Sequence, residues 1–419
     1  MISSQLGLGF TPLEPHFLEN PFPFYARLRR EAPVTFAPAF NFWLVSRYAD
    51  VMTVLKDARH YSSRDTLRPP VALPREVMAI LEPAGYTSDY PLLGDDPPAH
   101  TRLRALVGKA FNQARVNALE PRIRQLVGEH LDRLRDEEPR AEFISQLISP
   151  LAMSFMTELL GLPASSRERI KQWCDDEKLF FTPIPLEQHL RAARGVADFR
   201  RYLREFVEDR RKSPRDDLIS SLLLARTEGD RPLDTDELVA LTCVLVFAGH
   251  ETSTNLLATA LHHLLRHPGA WDGLRKDTYL VRNAIEETVR YDSPVVGMMR
   301  TTTEPVQLGG TALPEGARLF LLFASANRDE AVFEQGERFD IHRANAVRHL
   351  GLGHGIHYCV GASLGRLEAQ LTLEGLLQRL PGLRLAPGES VTYLPNLVHR
   401  VPRQLLVEWG TRGAGPINR

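Results

Sequence analysis

Apolar positions recur every three or four residues along most of the chain, a spacing that predicts long helices. It marks Asn112–Arg135, Glu142–Leu160, Glu187–Arg211 and Leu233–His267. Near the start, Pro33–Phe36 and Phe42–Ser46 gather β-branched and aromatic residues and predict a strand pair. A second strand-rich patch covers Val306–Phe323, with turns at Gly309-Gly310 and Pro314-Glu315-Gly316, and Val391–Trp409 predicts further short strands. A last helix is expected over about Val360–Leu380, stopped by Pro381-Gly382. The Pro-rich breaks Arg68–Pro74 and Phe180–Pro185 are short, and no linker, repeat or low-complexity tract divides the chain. The expected fold class is mainly α with small β-sheets, as a single domain over 1–419 with 410–419 as a tail.

Leu233–His267 carries the most information. Asp234-Thr235-Asp236-Glu237 predicts a capping box at its start, and His267-Pro268-Gly269 a stop. Its middle, Leu238–Gly249, is apolar on every face, so the helix should cross the core. His250, Glu251 and Thr252 follow at once, and a carboxylate and a hydroxyl there are costly unless partnered. Gly249 costs about 1 kcal/mol relative to Ala inside a helix. The plainer explanation is a packing glycine beside a solvated polar step. The zinc pattern HExxH fails, because Thr254 stands where the second histidine is needed.

Composition narrows the classes. The 419 residues are 43% hydrophobic and 25% charged, ordinary for a globular protein. With 51 basic and 52 acidic residues the net charge is -1, which argues against nucleic acid as a main partner. The twelve uncharged, mostly apolar residues of Leu238–Gly249 fall short of the about 20 that a membrane span requires. No basic and apolar leader opens the chain, and a soluble cytoplasmic protein is expected. Cys174, Cys243 and Cys359 are widely spaced and form no CxxC pair, which disfavours disulfides and a cysteine zinc site. Cys174 and Cys243 suit buried structural roles. Cys359 differs: it lies in the glycine-rich stretch Gly351–Gly361, close before the last helix. A helix N-terminus there stabilises a thiolate, which suits a metal ligand or a nucleophile.

The stretch Leu352–Gly361 resembles the heme-binding loop of the cytochrome P450 family. That pattern has an aromatic residue seven before the cysteine, Gly four before, His or Arg two before and Gly two after. Leu352 replaces the aromatic; Gly355, His357 and Gly361 match. Three more segments are similar to family motifs in the expected order. They are Asp96–Arg104 at the heme propionates, Ala248–Thr252 for oxygen activation, and the ExxR helix with Glu287 and Arg290. Ala324–Asp329 and Phe339–Arg343 are also similar to bacterial members, and the resemblance covers nearly the whole chain.

This resemblance implies a soluble heme-thiolate monooxygenase with a long central helix over the heme. Heme b (iron protoporphyrin IX) would be non-covalent, since CxxCH is absent, with Cys359 as axial thiolate. His100, Arg104, Arg300 and His357 would hold the propionates, with Ala248, Gly249 and Gly361 also at the cofactor. Glu251 and Thr252 would be catalytic. Dioxygen must gain two protons and two electrons before its O–O bond splits, and an acid–alcohol pair can deliver the protons. Gly249 would leave room for O2. Glu287, Arg290 and Arg343 would form a structural ion network. Leu352 shields a sulfur less well than an aromatic ring, so the reduction potential is expected to differ, with Tyr358 as a compensating neighbour.

Phe180, Val244, Phe247, Val295, Val296, Met298, Met299 and Leu394 are the expected pocket residues, equally suited to the core. They predict a hydrophobic small-molecule substrate, with no anchoring charge evident. No flavin, iron–sulfur or dinucleotide motif is present, so electrons are expected from a ferredoxin and its reductase, or from a fused reductase absent from this chain. In the second case Gly413–Arg419 is a linker remnant. Arg343, Arg348, Arg366 and Lys109 are candidates for a basic docking face. Two other readings stay open: an oxidase performing coupling or desaturation, and a heme-binding protein without turnover.

Overall fold

The computed structural model describes residues 6–67, 72–87, 90–135, 139–181, 184–227, 229–380 and 382–410. The expected tail after Gly410, the Pro381 helix stop and parts of both Pro-rich breaks lie outside the described residues. The described strands are β1 (Val34–Ala37), β2 (Phe42–Val45), β3 (Tyr61–Ser62), β4 (Arg140–Glu142), β5 (Met298–Thr302), β6 (Val306–Leu308), β7 (Thr311–Leu313), β8 (Arg318–Leu321), β9 (Arg384–Leu385), β10 (Tyr393–Leu394), β11 (Val401–Pro402) and β12 (Leu406–Glu408).

All these strands belong to one compact unit, made of residues 1–62, 120–152 and 251–419. Its main sheet has the order β1-β2-β8-β5-β3, with β2 and β8 parallel and the other neighbours antiparallel. Alternation along the strands builds two cores. Leu44, Phe320 and Met299 face an aromatic cluster with Phe10, Phe17, Tyr25 and Phe42. Val45, Leu319 and Leu321 face Val51, Val54 and Leu350. A smaller sheet runs β4-β12-β9, and β6-β7 and β10-β11 are hairpins.

The second unit comprises residues 63–119 and 153–250 and contains no strand among the described residues. Its helices include Arg75–Leu81, Ala99–Ala110, Arg167–Lys178, Leu186–Lys212 and Leu218–Leu224. Val77, Leu81, Tyr86, Phe180, Ala192, Ala193 and Val196 form a core there.

The helix Thr235–Arg266 contributes residues to both units and, at 32 residues, is about 48 Å long. Its start is the predicted reciprocal cap: the Glu237 N–H donates to Asp234 Oδ1 at 2.9 Å and the Asp234 N–H donates to Glu237 Oε2 at 3.1 Å. One predicted helix needs correction. Glu142–Leu160 is not continuous: Arg140–Glu142 pairs with β12, Ile144–Ile148 is a π-turn, and α-helix begins at Ser149. The Glu142 carboxylate accepts the N–H groups of Ile144, Ser145 and Leu405 at 3.1, 2.7 and 2.8 Å. The bonds from Ile144 and Ser145 compete locally with regular helix, the one from Leu405 is long-range, and the periodicity registers neither.

Candidate functional site

Cys359 lies at the end of a tightly turned loop in the first unit. A 3₁₀ turn, Gly355–His357, leads to it, and the helix Ala362–Arg379 starts after the Gly361 cap. The Cys359 N–H donates to the Leu352 carbonyl at 2.9 Å, and the Ala362 N–H to the Cys359 carbonyl at 3.3 Å. Gly355 is demanded twice, by a φ of +68° and because a Cβ there would stand 2.4 Å from the Leu55 carbonyl oxygen. Cys359 is exposed, whereas Cys174 and Cys243 are buried, as expected of structural cysteines. Burial pushes both of those thiols up, Cys243 to about 12. His357 is half-buried on the same loop.

Glu287, Arg290 and Arg343 come together behind this loop. Arg290 donates to both Glu287 oxygens at 2.7 and 2.8 Å, with neither side chain exposed. Its other donors reach the carbonyls of Asn327, Gly336 and Arg338 at 3.0, 2.8 and 3.0 Å. Arg343 Nε donates to Glu287 at 3.2 Å, and the Asp340 N–H at 2.8 Å. Every polar atom of the ion pair is therefore used, the condition under which a buried charge pair is tolerable. Asn327 extends the network, since its side-chain oxygen accepts the Leu350 N–H at 2.6 Å. Sequence reasoning noted its segment but missed this role, which depends on a contact 23 residues away.

Arg300 is buried on β5 and donates to the Met299 carbonyl at 2.7 Å. On the long helix His250 is buried, while Glu251 and Thr252 are only half-buried, so the expected cost of burying that pair is smaller. Ser253 donates to Glu368 at 3.1 Å. Glu368, on the last helix, is 3% exposed, and its second oxygen has no hydrogen-bond partner among the described residues. Burial lifts its carboxyl to about 8, against the pull of Ser253. Sequence pattern offered no sign of this acid, whose burial is purely tertiary.

In the second unit His100 is buried and Arg104 half-buried, on one helix four residues apart as expected. Gly249 acquires a packing reason: a Cβ there would stand 2.3 Å from Met156 Sδ, so the thioether fills the space beside it. The unit also holds a charge where none was expected. Glu177 is buried near Arg200, Tyr86 and Tyr90, and burial lifts its carboxyl to about 7 against the pull of Arg200 and the Tyr90 hydroxyl. Arg200 in turn donates to the Ala84 carbonyl at 3.1 Å.

The pocket candidates divide between the units. Phe180 is core in the second unit, where Phe247 stacks with Phe181 at 6.4 Å and Val244 is also buried. In the first unit Met299 is core, Met298 and Val295 are partly buried, and Val296 and Leu394 line a crevice with Phe10, Phe22 and Arg400. The expected basic face is reduced. Arg343 is drawn inward by Glu287 and Arg366 is paired with Glu286, which leaves Arg348 exposed, while Lys109 donates to the Arg226 carbonyl at 2.5 Å.

The donor set fits a flat ligand held by sulfur: a thiol outside any disulfide, on a loop where Gly355 lets the backbone close against Leu55. Comparison with known proteins agrees. The family model described as cytochrome P450 matches residues 29–389. The chain is 36% identical over 400 residues to "Cytochrome P450 monooxygenase PikC" of Streptomyces venezuelae, covering 94% of this chain and 92% of that one. It is 35% identical over 408 residues to "Vitamin D(3) 25-hydroxylase" of Pseudonocardia autotrophica, covering 95% and 96%. The crystal structure of an intact type IV self-sufficient cytochrome P450 monooxygenase superposes with a TM-score of 0.92 at 29% identity, over 97% of this chain and 53% of that chain.

Proposed function

This chain belongs to the cytochrome P450 family of heme-thiolate monooxygenases, and from that premise we propose that it hydroxylates, epoxidises or dealkylates a hydrophobic small molecule, with Cys359 as the thiolate ligand. When bound, heme b supplies the binding and reductive cleavage of O2 and the transfer of one oxygen atom. The chain's own residues do the rest. The Cys359 thiolate is stabilised by the start of the Ala362–Arg379 helix just beyond it. His100, Arg104, Arg300 and His357 supply cations and hydrogen-bond donors to the propionates. Ala248 and Gly249 keep the helix slim at the cofactor. Thr252 orders water and presents its hydroxyl proton, and Glu251 relays replacement protons from solvent, which its half-exposed position allows. Glu287, Arg290 and Arg343 hold the cysteine loop in place.

Val244 and Phe247 in the second unit, and Val295, Val296, Met298 and Leu394 in the first, are the apolar candidates for contact with the substrate, while Phe180 and Met299 are core. That apolar set, and the vitamin D(3) in the name of one relative, support a hydrophobic substrate. Electrons come from a ferredoxin with its reductase or from a fused reductase, a reading supported by the match to about half of a self-sufficient relative. Among the described residues no helix is long and apolar enough to cross a membrane.

The observation that carries this reading is the Cys359 loop, which turns through Gly355–His357, closes the Cys359 N–H on the Leu352 carbonyl and places the thiol just before the Ala362–Arg379 helix. The test is the spectrum of the reduced protein under carbon monoxide. Wild type should show the band of thiolate-ligated heme and Cys359→Ser should lose it. A wild type without that band, or a serine variant that keeps it, defeats the assignment.

A further inference from the structure

Two successive carboxylates on the helix Leu280–Tyr291 each hold their own arginine. Glu287 serves Arg290 and Arg343. Glu286, about 100° round the helix, takes Arg366 as a fork, from Nε at 2.6 Å and Nη2 at 2.9 Å, with His349 Nε2 at 3.1 Å. The remaining Arg366 nitrogen, Nη1, donates to the Tyr358 phenolic oxygen at 3.0 Å. Tyr358 directly precedes Cys359, and Arg366 lies a turn inside the helix that follows it. The guanidinium thus bridges the chain from one side of the cysteine to the other.

We propose that the Glu286–Arg366–Tyr358 chain is a positioning device for the Cys359 sulfur, holding the residue before the ligand so that the sulfur keeps one direction. The inference rests on Cys359 being the axial ligand. The loop is fastened at its start by Asn327 on the Leu350 N–H and internally by the Cys359 N–H on the Leu352 carbonyl. Tyr358 adds a side-chain fastening at its far end. Tyr358 is 37% exposed, so its bond to Arg366 competes with water. The bond persists because the planar guanidinium is already oriented by Glu286, and only the two side-chain torsions of Tyr358 remain to be ordered. Burial pushes the Glu286 carboxyl up, but the hydrogen bonds from Arg366 and His349 outweigh it and hold the group at about 2, so the fork stays charged at any working pH.

The test uses heme-loaded protein, reduced under carbon monoxide, and times the conversion of the thiolate band to the protonated-thiol band in mild denaturant. Tyr358→Phe removes only the hydroxyl and should convert about fivefold faster, the effect of one hydrogen bond. Arg366→Met should convert at least as fast, and Arg366→Lys should fall between, because an ammonium cannot serve both partners in one plane. The unfolding midpoint of Tyr358→Phe by circular dichroism should match wild type. Unchanged conversion in Tyr358→Phe overturns this proposal alone, and so does a faster conversion that merely follows a lowered unfolding midpoint. A wild type lacking the thiolate band overturns the ligand assignment and this proposal with it.

Discussion

Arg290 and Asn327 are joined through the asparagine's main-chain carbonyl, at 3.0 Å, while the side chain of the same asparagine takes the Leu350 N–H at 2.6 Å. A buried ion pair is thereby connected to the first residue of the cysteine loop by two hydrogen bonds. Asn327→Ala keeps the first bond and deletes the second, leaving a buried N–H unsatisfied. A loss of about 1–3 kcal/mol is expected. Arg290→Lys abandons three carbonyls and one carboxylate oxygen, with an expected loss of about 3–5 kcal/mol. Denaturant unfolding measures both, and heme content after purification should fall in the same order. Equal stability of the two variants would contradict the proposed connection.

Gly249→Ala brings a Cβ against Met156, whose Sδ would lie 2.3 Å away. Because the thioether is flexible, the expected cost is moderate, about 1–3 kcal/mol. Shortening the neighbour should relieve it, so Gly249→Ala combined with Met156→Ala should lose less than the two changes add up to. The expected coupling is about 1 kcal/mol or more. Strict additivity would show that packing against Met156 does not explain the glycine.

Glu368 makes stability depend on pH in a definite direction. Its folded carboxyl titrates near about 8 and its unfolded one near the ordinary 4.5. Between these values the folded state binds the extra proton, so stability falls as pH rises through the window and levels off above it, by up to about 1.4 kcal/mol per pH unit. Glu368→Gln, which cannot ionise, should flatten the difference. Unfolding free energies of both proteins across that window decide it, and parallel curves would mean that Glu368 titrates normally.

Thr252→Ala should retain heme and substrate binding while diverting electrons to hydrogen peroxide. Product formed per electron pair consumed should drop by about tenfold or more, since positioned proton transfer contributes about 10²–10⁴-fold. Unchanged coupling would remove the threonine from the proposed proton route.

Local chemistry made much of this protein legible in its sequence. Helical spacing located Leu186–Lys212 and Thr235–Arg266 to within about two residues, because each buries one stripe or a whole apolar middle. The capping box at Asp234 and Glu237 was readable for a similar reason: both partners lie within one turn. The family resemblance implied that Glu287 and Arg290 share an ion network, and their spacing puts them on one helix face.

Tertiary structure alone decided which groups are buried and what faces them across long separations. Glu142 was assigned to a helix, but its partner Leu405 is 263 residues away and makes it a strand end. Gly249 packs against Met156, a neighbour that periodicity could not report. Arg366 read as a surface charge, yet Glu286 lies 80 residues distant and draws it into a fork. Glu368 carried no signal at all, because a carboxyl's pKa depends on the solvent and neighbours around it. Periodicity reports the direction in which a side chain points from its own backbone, and it contains nothing about what the fold brings to meet it.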